Sequence, residues 1–288
     1  MKALNQTSSR RAFVTGATGF IGRCLVQQLN DNGWTINVLS RRCPTPEEST
    51  NAKWYKYSGT FDSIYYALSA SQPDVVFHLA SQFLRTHASS QLDSLLDANL
   101  RFGTQLLEAM EKTDVRRIIN TGTNWQHLDN VDYNPVNLYA ATKQAFEAII
   151  DYYCRACNFG AITLKLYDTY GPNDPRDKLI PYLETCLKSG LELNMSDGLQ
   201  KIYLVHVDDV ASAYIQACDS LVCSSHLKFG VCHGVPLTIR EILNRLALTK
   251  NANPRVNWGS RPKTERLINH PISLPGVPGW NPTRSFPN

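Results

Sequence analysis

Tyr139 and Lys143 are the two side chains whose types and spacing could best perform proton chemistry. They stand four residues apart at the beginning of residues 138–157, a stretch with helical periodicity, so both lie on one helix face. An ammonium next to a phenol favours the phenolate and should lower the pKa of Tyr139 toward neutral pH. Such a pair also arises by chance, so it needs support from the surrounding sequence.

That support comes from the polar residues Thr121-Gly122-Thr123. They follow a short apolar segment, residues 117–120, and precede Tyr139 by about sixteen positions. In an open parallel sheet, the carboxyl ends of the strands face the ligand crevice. We therefore expect the hydroxyls of Thr123 and Tyr139 to converge there, where they could hold a carbonyl oxygen and supply its proton.

A glycine-rich turn near the start of the chain predicts a phosphate site. It joins an apolar run, residues 11–15, to an amphipathic stretch, residues 20–32. In this context Gly16 would permit a tight turn, Gly19 a close approach to a pyrophosphate, and Gly22 close packing of the helix. The helix N-terminus would supply amide hydrogens and partial positive charge. The alternative is a tight turn without a ligand.

The end of the second predicted strand, residues 35–40, indicates which dinucleotide binds. An NAD site usually places a carboxylate there for the ribose hydroxyls, whereas this chain has Ser40-Arg41-Arg42. Guanidinium groups bind a phosphate through paired hydrogen bonds and stack on adenine. Arg41, assisted by Ser40 or Arg42, therefore favours NADP(H). The alternative is two solvated surface arginines.

The alternation of strands and helices predicts an α/β fold, a Rossmann doubly wound parallel sheet with a smaller mixed C-terminal lobe. We place the NADP-binding domain at residues 1–166 and a mainly substrate-binding lobe at 167–288. A strand at residues 202–207 should return to the sheet, with the returning segment extending to about 210. The other elements are strands at 74–79 and 161–166 and a helix at 92–111.

The composition is that of an ordinary enzyme and excludes several other classes. The chain has 288 residues, of which 43% are hydrophobic and 19% charged, with a net charge of +4. It lacks an apolar run long enough for a membrane span, and its first residues are polar, so we expect a cytoplasmic protein without membrane or nucleic-acid partners. The eight cysteines should be reduced thiols, because the one Cys-x-x-Cys pair, Cys154 and Cys157, lacks a second pair at zinc spacing. We expect no metal.

Taken together, the motifs resemble those of a known family. In order they are the glycine loop 15–22, Leu79-Ala80, Thr121-Gly122-Thr123, Tyr139 with Lys143, Tyr170-Gly171-Pro172, and residues 206–210. Together they look like an extended short-chain dehydrogenase/reductase of the NAD-dependent epimerase/dehydratase superfamily. The resemblance implies a Rossmann fold, an NAD(P) cofactor and a homodimer formed through helices 92–111 and 138–157. It also implies that Tyr139 is the general acid/base, Thr123 its partner, and Lys143 a ligand of the nicotinamide ribose.

The same resemblance assigns further binding residues. The implied cofactor contacts are Gly16, Thr18, Gly19, Phe20, Ile21, Gly22, Ser40, Arg41, Arg42, Thr60, Phe61, Leu79, Ala80, Ser81, Asn99, Thr121, Tyr139, Lys143 and Tyr167. The implied contacts to a nucleotide-diphosphate sugar are Thr123, Asn124, Trp125, Tyr139, Asp168, Arg176, Lys178, Lys201 and Arg261. The family usually has aspartate at the position of Thr60. Trp125 either lines the sugar site or packs in the core. The cations Arg176, Lys178, Lys201 and Arg261 either bind the diphosphate or are solvated. His127 should lie on the surface.

Departures from the family pattern narrow the reaction. Members that dehydrate sugars have an Asp-Glu pair just after the strand-end Ser or Thr, whereas residues 124–127 contain no acid. Epimerases keep NAD bound, whereas Arg41 favours NADP. Residues 120–143 are similar to CDP-linked 4-keto-deoxysugar reductases, the group that includes abequose and paratose synthases. The hypothesis is an NADPH-dependent reductase of the C4 ketone. The alternatives are a nucleotide-sugar epimerase with tightly bound NAD(P) and a non-catalytic NADP-sensing protein.

Overall fold

The computed structural model describes residues 10–262, 265–271 and 273–287. The strands in this part of the chain are β1 (Arg11–Thr15), β2 (Thr35–Ser40), β3 (Lys53–Lys56), β4 (Val75–His78), β5 (Arg117–Thr123), β6 (Gly160–Leu166), β7 (Asp168–Tyr170), β8 (Leu193–Met195), β9 (Lys201–Ile202), β10 (Leu204–His206), β11 (Ser225–Val231), β12 (Leu237–Thr238) and β13 (Val256–Trp258). The α-helices are α1 (Phe20–Asp31), α2 (Pro46–Asn51), α3 (Phe61–Ser71), α4 (Leu92–Leu96), α5 (Phe102–Lys112), α6 (Leu138–Cys157), α7 (Leu179–Ser189), α8 (Val207–Ala217) and α9 (Ile239–Thr249).

Seven strands form one parallel sheet in the order β11-β6-β5-β4-β1-β2-β3. The chain moves outward from β1 through β2 to β3 and then crosses back to β4 on the other side of β1. At this reversal the connections after β1 and β4 run in opposite directions and leave a crevice at the carboxyl ends of the strands. The predicted α/β, doubly wound Rossmann fold is confirmed.

The sheet is buried on both faces, which explains why its inner strands are nearly continuous apolar runs. In β1, Phe13 and Val14 are both 0% exposed but point to opposite faces. Val14 packs in the cluster that contains residues of α1 and α8, and Phe13 packs in the cluster formed with α3, α5 and α6. Helix α6, which carries Tyr139 and Lys143, is therefore fixed against one face of the sheet.

The helix predicted at residues 92–111 has a wide turn in its middle. Between α4 and α5 the backbone forms a π-helical segment, Asp97–Arg101. Such segments are rare and often occur at functional sites. Here the segment carries Asn99, which is 2% exposed and reaches the loop after β4.

The prediction that residues 202–207 return to the central sheet is wrong. The segment splits into β9 and β10, and β10 pairs with β7 in a separate two-stranded sheet. The seventh strand of the central sheet is β11, which the sequence analysis missed. Its polar residues His226 and Lys228 interrupt the apolar pattern that is typical of a buried strand. The fold accommodates them because each faces a carboxylate of α6: His226 bonds Asp151 at 2.8 Å, and Lys228 lies 3.7 Å from Glu147.

The C-terminal lobe has a small core of its own. Apart from α8 and β11, which lie with the central sheet, it consists of α7, α9 and three two-stranded sheets, β10-β7, β12-β9 and β13-β8. Tyr170, Leu183 and Leu243 belong to one buried cluster that joins these elements. All eight cysteines are free, and Cys154 of α6 is buried.

Asp209 ties the C-terminal tail to the first turn of α8. Its carboxylate accepts hydrogen bonds from the Thr283 amide at 3.0 Å, the Thr283 hydroxyl at 3.3 Å and the Arg284 amide at 2.9 Å. The side chain, which is 4% exposed, therefore anchors residues 283–284 to α8.

Candidate active site

The glycine loop between β1 and α1 forms a cradle that side chains would fill. Gly16 has a φ of +77°, and a Cβ there would lie 2.6 Å from the Ala80 amide nitrogen. A Cβ on Gly22 would lie 2.1 Å from the Gly16 carbonyl oxygen. Gly19 caps α1 without a side-chain hydrogen bond, and the first turn contains no acidic residue. The loop therefore fits the pyrophosphate of a dinucleotide. Its other predicted contacts are Thr18, Phe20 and Ile21.

Three cations lie where β2 and β3 end. Arg41 is exposed, and its guanidinium has no hydrogen bond or ion pair with the described residues. The Arg42 guanidinium is held by both carboxylate oxygens of Glu48, at 2.6 and 2.8 Å. Lys56, which is in register with Ser40, donates to the Arg41 carbonyl. Lys56 was missed because strand pairing, not sequence proximity, brings it here. Arg41 is thus the cation best able to bind a 2′-phosphate.

Thr60 and Phe61 begin α3 beside this strand end. Thr60 is the N-cap residue, and its hydroxyl lies 3.0 Å from that of Ser58. The Phe61 ring stacks on Tyr65 with 6.1 Å between ring centroids. Phe61 is only partly buried and offers an aromatic face. Their contact with an adenine ring stays a prediction.

Asn99 shapes the loop that follows β4. Its Oδ1 accepts hydrogen bonds from the Gln82 amide at 2.8 Å and the Ser81 hydroxyl at 3.1 Å. Its Nδ2 donates to the Gln82 carbonyl and to the Thr142 hydroxyl, both at 3.0 Å. The amide group is thus fully engaged within the protein. Asn99 therefore supports a loop whose preceding residues, Leu79 and Ala80, lie against the glycine loop. Its contact with the cofactor stays a prediction.

The two threonines at the end of β5 have different environments. The Thr121 hydroxyl donates to a β4 carbonyl at 2.8 Å and lies 2.6 Å from the Tyr214 hydroxyl, so the fold already uses it. The Thr123 hydroxyl accepts a hydrogen bond from the Trp125 amide at 3.3 Å. Thr123 begins a single 3₁₀ turn, Asn124–Gln126, at the crevice. Thr123 therefore remains the candidate for contact with a reacting oxygen.

Tyr139 and Lys143 lie one turn apart on α6 and are 9% and 2% exposed. Burial raises the pKa of Tyr139 to about 12, against the opposing effects of a hydrogen bond to Ser81 and the charge of Arg176. The expectation that Lys143 lowers this pKa is wrong for this structure, because the phenolate would lose too much hydration. Burial lowers the pKa of Lys143 to about 8, although the Glu147 carboxylate opposes this shift.

The Lys143 ammonium has no hydrogen bond or ion pair with the part of the chain that the structure describes. A buried cation without a partner is costly, so a site of this kind suits a ligand with hydroxyl groups. The ribose of a nicotinamide nucleotide has such groups. Together with the glycine cradle, Lys143 indicates that the residues present fit a nicotinamide dinucleotide.

Aromatic rings and a lysine form one wall beside Tyr139. The Phe83 ring meets the Tyr139 ring edge-on at 5.0 Å and lies 5.5 Å from the Trp125 ring. The Lys178 ammonium lies 3.7 Å from the centre of Phe83 and 5.2 Å from that of Trp125. Trp125 therefore belongs to the site wall and not to the core. Phe83 was not predicted, because the only sign of its role in the sequence is its place just after β4.

Asp168 stands at the start of β7 among cations. Burial raises the pKa of its carboxyl group, and the charges of Lys178, Arg85 and Arg176 oppose this shift. Of these, Arg85 was not predicted, because it lies in the loop after β4, far from Asp168 in sequence. The structure thus brings three cations and one carboxyl group together near Tyr139, a charge distribution suited to an anionic ligand.

Arg176 is fixed between the two lobes. Two of its nitrogens bond the Asp174 carboxylate at 2.7 Å, and one also donates to the Thr169 carbonyl at 2.8 Å. Its guanidinium lies 4.4 Å from the centre of the Phe20 ring in the glycine loop. Arg176 therefore adjoins the predicted pyrophosphate site as well as Tyr139, and its contact with substrate stays a prediction.

Some predicted residues lie outside this cluster. The Tyr167 hydroxyl accepts from the Leu274 amide at 3.3 Å, and its ring packs on Tyr203. Lys201 and Arg261 are exposed, and neither forms a hydrogen bond, ion pair or cation–π contact with the wall beside Tyr139 in the described ranges.

Two further residues follow the end of β5. Asn124 is buried, with 9% exposure. His127, predicted to lie on the surface, is partly exposed, and its Nδ1 lies 3.3 Å from the Val131 carbonyl oxygen. Its Nε2 is buried without a partner among the described residues, and burial lowers the pKa of the ring.

In the described residues, no group of three or more His, Cys, Asp or Glu side chains is arranged to hold a metal ion. Across the same ranges, every helix is too short or too polar to cross a membrane.

Comparison with known proteins places the chain in a family. The model of the NAD dependent epimerase/dehydratase family matches residues 12–227. A CDP-abequose synthase of Yersinia pseudotuberculosis is 29% identical over 213 residues, covering 73% of this chain and 74% of the relative. A UDP-glucose 4-epimerase of Mycolicibacterium smegmatis is 27% identical over 259 residues, 82% of each chain.

Among solved structures, the UDP-glucose 4-epimerase of Thermus thermophilus in complex with NAD has the same fold. Its TM-score is 0.81 at 24% identity, with 96% of this chain and 95% of that chain covered. The family match covers most of the chain and includes the glycine loop, Tyr139 and Lys143. The protein belongs to the NAD dependent epimerase/dehydratase family.

Proposed function

We propose that the protein is an NADPH-dependent reductase of a nucleotide-linked keto-deoxysugar, acting at the C4 ketone. One observation carries the proposal. The crevice holds Thr123, Tyr139 and Lys143, while the turn that follows Thr123, residues 124–127, contains no carboxyl group. This set can transfer a proton to an oxygen but lacks the acid pair of sugar dehydration. The similarity to CDP-abequose synthase supports a deoxysugar substrate.

Each residue of this set has a role in reduction. Tyr139 keeps its proton at neutral pH because its pKa is about 12, and a protonated phenol is the form that can donate to a developing alkoxide. The Thr123 hydroxyl donates to the same oxygen, and a donor of this kind contributes about 2–4 kcal/mol to transition-state stabilisation. Lys143 binds the ribose hydroxyls. When bound, the reduced nicotinamide supplies the hydride.

The choice of NADPH rests on the end of β2. Arg41 is exposed, its guanidinium has no hydrogen bond or ion pair in the described chain, and Lys56 adds positive charge beside it. No carboxylate replaces them at residues 39–42 to bind ribose hydroxyls. A site for the 2′-phosphate suits a reductase that takes up NADPH and releases NADP in each turnover, whereas an epimerase does not consume the cofactor.

The substrate proposal uses the wall and the cations near Tyr139. Trp125 and Phe83 would contact the sugar ring, and Lys178 and Arg85 would meet the diphosphate. Asp168 is available for a sugar hydroxyl. The remaining predicted contacts, Asn124, Arg176, Lys201 and Arg261, stay proposals, as do a homodimer through α5 and α6 and a cytoplasmic location.

An NADPH-consumption assay tests the function. The protein is mixed with NADPH and a panel of CDP-, UDP- and dTDP-linked 4-keto-6-deoxysugars, and absorbance at 340 nm is followed with product analysis. We expect one NADPH consumed per sugar reduced. Interconversion of two sugars without loss of NADPH would favour the alternative function, a nucleotide-sugar epimerase. The similarity to the Mycolicibacterium enzyme supports that alternative. Binding of NADPH without any sugar reaction would favour a cofactor sensor.

A further inference from the structure

A buried glutamine connects α6 to the strand end that carries Thr123. Gln126 is 0% exposed, and its Oε1 accepts a hydrogen bond from the Thr123 amide at 3.0 Å. Its Nε2 donates to Gln144 Oε1 at 2.6 Å and to Glu147 Oε1 at 2.9 Å. Both Gln144 and Glu147 belong to α6. The side chain therefore uses both of its amide hydrogens and its carbonyl oxygen to brace the turn after β5 against the catalytic helix.

Glu147 is itself held by a buried ion pair. Its Oε1 lies 2.6 Å from the Lys165 ammonium of β6, and the two side chains are 1% and 2% exposed. Its Oε2 is buried without a hydrogen bond among the described residues, with the Lys228 ammonium 3.7 Å away. Removing two charges from water usually costs as much as their attraction returns, so stability is a poor reason for such a pair. A role in placing the neighbouring groups accounts for it better.

The same carboxylate acts on the second catalytic group. Glu147 follows Lys143 by four residues on α6, so both lie on one face of the helix. Its charge opposes the lowering of the Lys143 pKa that burial causes. The titratable groups that face Glu147 from its own and the neighbouring elements are Lys143, Lys165, Lys228, His127 and His226. Lys143 is also faced by His78 of β4, whose pKa of about 3 leaves it neutral.

We propose that Gln126 and Glu147 are positioning residues of the reaction. Gln126 fixes the direction of Thr123, and Glu147 anchors Gln126 while presenting its negative charge to Lys143. This inference rests on the proposed function for the roles of Thr123 and Lys143. The hydrogen-bonded connection itself does not depend on that function, so it can be tested separately.

The first test replaces Gln126 by methionine, which has a similar length but lacks the three hydrogen bonds. The Glu147–Lys165 pair remains, so the fold should persist. We expect kcat to fall about tenfold or more with KM changed less than about threefold, because the alignment of Thr123 is lost while the residues proposed to bind the sugar are unchanged. Amide hydrogen exchange at Thr123, followed by NMR or by mass spectrometry of peptides covering residues 120–128, should accelerate about tenfold.

The matched control is Asp151→Asn. Asp151 lies one turn beyond Glu147 on α6, bonds His226 at 2.8 Å and lies 4.0 Å from the Lys228 ammonium; among the described residues it forms no hydrogen bond with Gln126. We expect its kcat and the exchange at residues 120–128 to stay within about twofold of the unaltered protein. The positioning role is refuted if Gln126→Met leaves kcat and exchange unchanged, or if both variants lower kcat and Tm to the same extent.

A second variant, Glu147→Gln, keeps a hydrogen-bonding side chain but removes the charge. Because Lys143 then loses its proton more readily, the alkaline fall of kcat, expected near pH 8, should move to lower pH. If the unpaired Lys165 prevents folding, Glu147→Gln combined with Lys165→Met removes both charges and should show the same movement. An unmoved alkaline limb in a folded variant overturns the role of Glu147. If the unaltered protein reduces no sugar, the proposed function fails, while the exchange experiment still decides the role of Gln126.

Discussion

The two arginines after β2 should contribute unequally to cofactor choice. Arg41 is exposed with an unpaired guanidinium in the described chain, whereas Arg42 already binds Glu48 through two contacts of 2.6 and 2.8 Å. Arg42 must give up part of that ion pair before it can bind a phosphate. We therefore expect Arg41→Ala to weaken NADPH binding strongly and Arg42→Ala to weaken it little.

The size of the difference follows from the exposure of these groups. A hydrogen bond to a charged group is worth about 1.5–3 kcal/mol, and the lower end applies to a solvent-exposed arginine. Loss of about 1.5–2 kcal/mol raises the Kd for NADPH about 10- to 30-fold for Arg41→Ala. For Arg42→Ala we expect less than about threefold, because the ion pair with Glu48 competes with the phosphate. Glu48→Gln should instead strengthen NADPH binding, since it frees the Arg42 guanidinium.

Fluorescence titration with NADPH and NADH measures these effects directly. NADH lacks the 2′-phosphate, so its Kd should stay within about twofold in all three variants. The effect of Arg41→Ala should also shrink at high salt, where the exposed charges are screened. If Arg41→Ala weakens NADPH and NADH equally, or if the unaltered protein binds NADH more tightly, the reasoning about the end of β2 is refuted.

Three further predictions concern stability and assembly. Burial lowers the pKa of His78 to about 3, whereas the pKa of a histidine in the unfolded chain is about 6.5, so the unfolded state takes up the proton first as the pH falls. Acidification from pH 6.5 to pH 5 should therefore lower the free energy of unfolding by about 2 kcal/mol. Urea unfolding at both pH values should show a smaller loss for His78→Asn. Asp209→Ala removes three hydrogen bonds to Thr283 and Arg284 and should lower the free energy of unfolding by about 2–3 kcal/mol. Tryptic cleavage after Arg284 should become faster. An unchanged melting temperature and cleavage rate would contradict the anchoring role of Asp209. Tyr152 of α6 is 61% exposed. If α6 forms the proposed dimer surface, Tyr152→Arg should yield monomers in light scattering. An unaltered molecular mass would place the interface elsewhere.

Local chemistry explains which parts of the fold could be predicted. Gly16 and Gly22 mark a turn that excludes a Cβ, and the apolar runs of β1 and β4 mark strands buried on both faces. Strand β11 could not be recognised in this way, because His226 and Lys228 face carboxylates of α6 and make the strand look polar. Its assignment requires the long-range contacts of the folded chain.

The same distinction applies to the site. Tyr139 and Lys143 could be predicted because their spacing places them on one helix face. Phe83 and Gln126 could not be predicted, because only the folded loops bring the Phe83 ring to Tyr139 and the Gln126 side chain to the Thr123 amide. The direction of the Tyr139 pKa was mispredicted for a related reason, since burial depends on the whole packing around the residue.

Transfer of deuterium from the cofactor to the sugar tests the central claim most directly. The protein is incubated with NADPH deuterated at both C4 hydrogens of the nicotinamide and with a CDP-linked 4-keto-6-deoxysugar, and the sugar is analysed by mass spectrometry and NMR. We expect one deuterium at C4 of each product sugar. Tyr139→Phe should slow its appearance about 100-fold or more, because the alkoxide loses its proton donor. A sugar that changes configuration without gaining deuterium, or full transfer by Tyr139→Phe, would contradict the account.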